Sequence, residues 1–175
     1  MSLINFRRYS FALSVAALAS TNTYALPSDR LQETHASAET VVFDQKKGLA
    51  TYTGAVKVQQ GSLVVTADEI IIETNTDGSV KRMIATGKPA QFQQQPEENQ
   101  GVITASATKI TYTPDKKHLL LVENASLEQD GAVMSGPQID YDLVKEVMRA
   151  AGNGNGGTGQ RIEIVIPPKP EASAE

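Results

Sequence analysis

The chain of 175 residues has no cysteine, no tryptophan and only two histidines, His35 and His118. Without cysteine no disulfide can staple the fold, so its stability must come from strand pairing and core burial. Two isolated histidines and no thiol leave no cluster with metal-ligand spacing. No Gly-x-Ser-x-Gly elbow occurs. "ATGKP" (85–89) ends like a phosphate loop but lacks its first glycine and its closing Ser or Thr. Asp68 and Glu69 are neighbours, and neighbours on a strand point to opposite faces, so they cannot flank one glycosidic bond. The expectation is a chain with no catalytic residue, no metal and no cofactor. Positive charge is also short: 16 Lys and Arg against 20 Asp and Glu, a formal charge of −4. That argues against a nucleic-acid partner, whose phosphates must be neutralised.

Long apolar runs are scarce as well. The longest opens the chain: Arg7 and Arg8 precede "FALSVAALA" (11–19), too short to span a bilayer, and "TYA" (23–25) offers small residues at the −3 and −1 positions of a cleavage site. This is the pattern of a secretory signal peptide over residues 1–25, with a second possible cut after Ala19. Its removal would take away two cations and leave the remainder more acidic. About 150 residues then suit one domain, expected over 26–168. The closing "KPEASAE" (169–175) reads as a disordered tail, and "GNGNGGTG" (152–159) as a flexible loop.

What is plentiful is alternation. "SAETVVFD" (37–44), "TADEIIIE" (66–73), "SATKITYT" (106–113) and "SGPQIDYD" (135–142) share one template. Each opens with a small polar residue followed by Ala or Gly, and each has apolar residues at its fifth and seventh places. Period two puts those two side chains on one face and the sixth on the other. A second template, "ATYTG" (50–54), "MIATG" (83–87), "LLLVE" (119–123) and "MRAAG" (148–152), lies between them. Segments 37 and 106, 66 and 135, and 53 and 122 are each 69 residues apart, with a longer excursion expected near "TNTDGSVK" (74–81). Short strands of about six residues are expected, separated by turns such as "QKKG" (45–48) and "QQG" (59–61). "DLVKEVMRA" (142–150) could form a helix, but its place in the repeat favours a strand. Units that cannot bury their own apolar face must stack on one another. The fold class is therefore all-β, as two facing antiparallel sheets or a flattened jelly-roll.

The strings that carry the repeat resemble a known family. "ATYTGAVKVQQGSLVVTADEIII" (50–72), "GKPAQFQQ" (87–94) and "ASATKITYTPDKKHLLLVENASLEQ" (105–129) are similar to the LptA/OstA family, the periplasmic lipopolysaccharide-bridge proteins of Gram-negative bacteria. The likeness covers about residues 37–150. It implies a twisted antiparallel β-jelly-roll that holds the lipid A part of lipopolysaccharide in an apolar interior. It also implies head-to-tail association of the chain with itself, with an inner-membrane-anchored jelly-roll partner and with an outer-membrane translocon.

The expected lining of the groove is Val41, Phe43, Tyr52, Val56, Val58, Ile70, Ile72, Met83, Ile110, Tyr112, Leu119, Leu121, Ile139 and Tyr141. Lipid phosphates need basic partners, and Lys81, Arg82, Lys57 and Lys88 are the candidates for that rim. A structural filament or adhesin without lipid cargo would share the export signal and the repeat.

Overall fold

The computed structural model describes residues 29–97, 99–152 and 161–168. The expectations for the signal peptide, for most of the Gly/Asn tract and for the tail fall outside the described residues. Ten strands follow in order: β1 (Thr34–Ser37), β2 (Thr40–Asp44), β3 (Leu49–Gln60), β4 (Leu63–Thr74), β5 (Val80–Gln94), β6 (Ile103–Thr113), β7 (His118–Gln129), β8 (Ala132–Asp142), β9 (Val147–Ala151) and β10 (Glu163–Val165). They form one antiparallel sheet in which β3 to β8 run as a meander. Short 3₁₀ turns cover Asp29–Leu31 and Pro114–Lys116.

The central strands are 11 to 15 residues long, twice what the repeat suggested. The difference is a crease. Register shifts occur at Thr53/Val56, Thr66/Glu69, Thr86/Ala90, Ser106/Lys109 and Val122/Ala125, midway along successive strands. A bulge leaves an extra residue unpaired and bends the strand without ending its ladder. The small residues that open the repeats at 66, 106 and 135 therefore mark the middle of a bent strand, and those at 37 mark the break between β1 and β2. Val56 faces Ala67, Ala90 faces Ala107 and Ala125 faces Gly136 along the inside of this bend, where bulk would hold the halves apart. Gly54 has φ +86° there, and a Cβ on Gly87 would stand 2.9 Å from the Ala90 backbone nitrogen, so the family strings Tyr-Thr-Gly and Gly-Lys-Pro-Ala are crease sequences.

The crease divides the sheet into two arms, and at each end of the meander the long strand is replaced by two short ones. β1 pairs with Lys57–Gln60 of β3 and β2 with Leu49–Thr53. At the far end β10 pairs with Val133–Ser135 of β8 and β9 with Gln138–Asp142. The β1/β10 arm and the β2/β9 arm face one another: Phe92 of the first meets Tyr112 of the second with ring centroids 5.2 Å apart. The expected choice between two sheets and a jelly-roll resolves to one continuous sheet folded on itself, a twisted β-jelly-roll.

Two connections differ from expectation. "TNTDGSVK" is a tight turn, closed by Asn75 N–H donating to the Ser79 carbonyl at 2.8 Å. The extra length lies instead in residues 95–102, where Pro96 and Gly101 interrupt strand pairing. Residues 142–150 form no helix. They close β8, turn over 143–146 and start β9.

Candidate functional site

The inner surface is built by register. Partners directly opposite on adjacent strands share a face. Across the β2/β9 arm this gives a row Val41, Tyr52, Ile70, Ala85, Ile110, Leu121, Ile139 and Ala150. Beside it runs Phe43, Ala50, Ile72, Met83, Tyr112, Leu119, Tyr141 and Met148. Twelve of the fourteen residues expected to line the groove belong to these rows; Val56 and Val58 lie on the opposite arm. That arm supplies its own row, Ala36, Val58, Val65, Phe92, Ala105, Leu127, Met134 and Ile164. Ile70, Ile110, Leu119, Leu121 and Ile139 are at most 1% exposed.

Val41 and Phe43 differ from the rest. Both lie on the inner rows, yet they are 54% and 61% exposed, not buried as a lining residue in mid-sheet would be. The cause is position: among the described residues β2 is the last strand of its arm, and no further strand covers its apolar side chains. Ile164 on β10 is 55% exposed at the opposite edge for the same reason. Among the described residues the interior is thus lined from edge to edge and uncovered at β2 and β10.

The mouth between the arms has two unlike lips. The β2/β9 lip is made of the connections near 45–48, 75–79, 114–117 and 143–146, and it carries Lys46, Lys47, Lys81, Arg82, Lys116, Lys117 and Lys145. The connections of the other lip, 61–62, 95–102 and 130–131, contain no Lys or Arg and include Glu97 and Asp130. Many of the cations are paired locally. Lys47 meets Asp44 at 3.1 Å and Lys145 meets Asp142 at 2.7 Å. These hydrogen bonds hold both carboxyls below their usual range. Arg82 and Lys81 both face Glu73.

Contacts also cross the mouth. Lys117 Nζ reaches Glu97 Oε1 at 2.8 Å, Gln100 Nε2 donates to Glu146 Oε1 at 2.6 Å, and Tyr141 O–H donates to Gln129 Oε1 at 2.9 Å. Burial, reinforced by Glu146, raises the Tyr141 pKa, and the bond to Gln129 partly opposes this.

The four expected rim cations are not brought together. Lys81 and Arg82 stand at the mouth. Lys57 adjoins the bulge of β3, and Lys88 lies within the bulge of β5, so both follow the crease on the far side of the arms. Sequence reasoning missed Lys47, Lys116, Lys117 and Lys145. Lys47 and Lys116 occupy equivalent turns 69 residues apart, a signal the repeat already contained. It also missed the facing inner row of Val65, Phe92, Ala105 and Leu127, whose own alternation ("SLVVT", "AQFQQ") follows the same period of two. Two surface grooves lie outside the interior. One, of about 330 Å³, is lined by Thr66, Gln91, Gln93, Ser106 and Ser126 on the outer face of the β1/β10 arm. The other, of about 380 Å³, adjoins the β7 bulge at Glu123 and Asn124.

A creased antiparallel sheet with an apolar seam running from β2 to β9 defines a twisted β-jelly-roll. The family described as LptA/(LptD N-terminal domain) LPS transport protein matches residues 35–147, and the chain belongs to it. The lipopolysaccharide export system protein LptH of Pseudomonas aeruginosa is 33% identical over 175 residues, covering 98% of this chain and 99% of its own. LptA of Haemophilus influenzae is 31% identical over 158 residues, 89% of each chain. The crystal structure of LptH, described as the LptA-homologous periplasmic component of the conserved lipopolysaccharide transport device, matches with a TM-score of 0.70 at 31% identity. That match covers 81% of this chain and all of the other.

Proposed function

We propose that this chain carries lipopolysaccharide through the periplasm, from the inner towards the outer membrane, with the acyl chains between the two arms and the head group at the mouth. The observation that carries this reading is the unbroken inner row from Val41 to Ala150, apolar throughout and uncovered at β2. Burying each CH₂ of an acyl chain gains about 0.8 kcal/mol, so a glycolipid with several chains cannot cross water unaided. A continuous apolar seam lets it move without exposing those chains. The phosphates of its head group would face the cationic lip, with Lys81, Arg82 and Lys117 as candidate partners.

The same edges would serve association. Unpaired strands at both ends, with apolar side chains beside them, fit a head-to-tail contact that does not close on itself. Its partners would be further copies of this chain, the membrane-anchored jelly-roll at one end of the bridge and the outer-membrane translocon at the other. The chain acts as a conduit in this reading, not as an enzyme.

A photoreactive residue placed at Ile70 or Tyr112 should crosslink to lipopolysaccharide in cells, and one at the outward Thr66 should not. Absence of lipid at every inner position would leave only a structural filament. Sedimentation should give oligomers that grow with concentration; a sharp monomer across a wide range would remove the stacking.

A further inference from the structure

Among the described residues one buried side-chain polar atom has no hydrogen-bond partner, Oε1 of Gln94. Gln94 is 8% exposed and stands on the inner side of β5, opposite Ile103, two residues beyond Phe92 towards the mouth. Its amide nitrogen donates to Asp29 Oδ2 at 2.9 Å. Asp29 is fixed in turn, because its Oδ1 accepts the Ser62 N–H at 2.7 Å and its Oδ2 the Ser62 hydroxyl at 2.8 Å. An ionised carboxylate only accepts, so the amide cannot turn over without setting two oxygens against each other. The orientation of Oε1 follows from Asp29. It is an acceptor held on the inner surface, where its neighbours on the same face of the strand are Phe92 and Ala90.

An orphaned buried acceptor destabilises the state that buries it, and a Leu or Met would fill the same position without that cost. We propose that Gln94 is a specificity-determining contact: Oε1 accepts a hydrogen bond from a hydroxyl or amide N–H carried on an acyl chain near its head-group end. This rests on the lipid-carrier reading and adds to it a preference for hydroxylated or amide-linked chains over plain hydrocarbon. The position suits such a donor. Gln94 lies at the mouth, and the inner positions from it to Ala90 run about 13 Å towards the crease. A donor a few carbons from the head group meets Gln94 while the rest of the chain lies against Phe92 and Ala90. With the arms closed Oε1 is covered, so the donor reaches it as the mouth parts.

The test uses the whole chain with tetradecanoic acid and 3-hydroxytetradecanoic acid as probes, compared by calorimetry. The wild type should bind the hydroxy acid about three- to tenfold more tightly, the range one net hydrogen bond gives. Gln94→Met, which keeps the volume and removes the acceptor, should abolish the preference and leave the plain acid bound as before. Gln94→Asn, which withdraws the acceptor from the seam, should do the same and decides the matter if the Met variant does not fold. Ser62→Ala, which loosens the anchor of Asp29 but leaves Oε1 in place, should keep the preference. Equal binding of the two acids by the wild type, or an unchanged ratio in both Gln94 variants, overturns the proposal. So does a crystal structure with the hydroxy acid seated and a water, not its hydroxyl, on Oε1. The carrier reading is separated by crosslinking at Ile70: lipid captured there without discrimination between the acids removes only the role of Gln94, and no lipid captured with neither acid bound removes both.

Discussion

The two arms of the jelly-roll are alike inside and unlike outside. Each presents β-branched, Leu, Ala and aromatic side chains to the seam. On the outer face, the middle row of the β2/β9 arm is Val42, Thr51, Ile71, Ile84, Thr111, Leu120, Asp140 and Arg149, half of it aliphatic. The equivalent row of the β1/β10 arm is His35, Gln59, Val64, Gln93, Thr104, Glu128, Val133 and Val165, with no Ile or Leu. The lips differ in the same sense, with the cations on the first arm and none in the connections of the second. The inner surfaces are constrained by each other and must match. The outer surfaces answer only to solvent and neighbours, and there the arms have diverged. The pairing of a shared apolar seam with a one-sided cationic lip suits an amphiphile whose charges stand to one side of its chains.

The largest effect is expected at the centre of the seam. Phe92→Ala should lower stability by about 3–5 kcal/mol in urea unfolding, because it removes the ring that meets Tyr112 and leaves a cavity between the arms. Ile84→Ala on the outer face, where the side chain is only half-buried, should cost clearly less than the 2–5 kcal/mol expected for a fully buried isoleucine. Next comes the crease. Gly87→Val should cost about 1–3 kcal/mol, since its side chain meets the Ala90 backbone and must splay the bulge. The lips can be separated from the seam: Lys81→Glu with Arg82→Glu should weaken lipopolysaccharide binding about tenfold, roughly 1.4 kcal/mol, and flatten its salt dependence. Asp130→Asn on the other lip, a position with positive φ that Asn tolerates, should change binding little.

A smaller effect on stability concerns one of the contacts that cross the mouth. Tyr141→Phe should cost about 0.5–1.5 kcal/mol through the lost bond to Gln129. The folded state raises the Tyr141 pKa above the ordinary 10.0, so it favours the neutral phenol. The stabilisation is complete below pH 10 and is lost as pH rises through the raised value. Wild-type stability should therefore fall more steeply above pH 10 than that of Tyr141→Phe, which unfolding titrations at a series of alkaline pH values will measure.

Much of the seam was legible because a period of two admits only one assignment of faces. Ile70, Ile110 and Ile139 share a template position, and the register joins them in one row. The crease was not legible in the same way. A small polar residue followed by Ala or Gly looks like the start of a strand, and only the ladder, continuous through the bulge, identifies it as a bend. Exposure of Val41 and Phe43 could not be read from their pattern, which matches that of Ile70 and Ile72; it depends on β2 being last in its arm. The contacts across the mouth are made by Gln, Glu and Lys in turns, whose spacing carries no periodic signal. Gln94 was hidden among the glutamines of "QFQQQ", where only its inward parity sets it apart.

The split ends of the sheet bear on length. Eight strands at about 4.8 Å give a lined passage of roughly 34 Å. Lengthening it would need no new kind of part, because 69 residues already comprise four creased strands. Duplicating one such block would add about 19 Å, and fewer joints would then be needed to bridge a long distance. The reach of a bridge made this way is set by how many hairpins are counted out along the chain, with the chemistry of the passage unchanged.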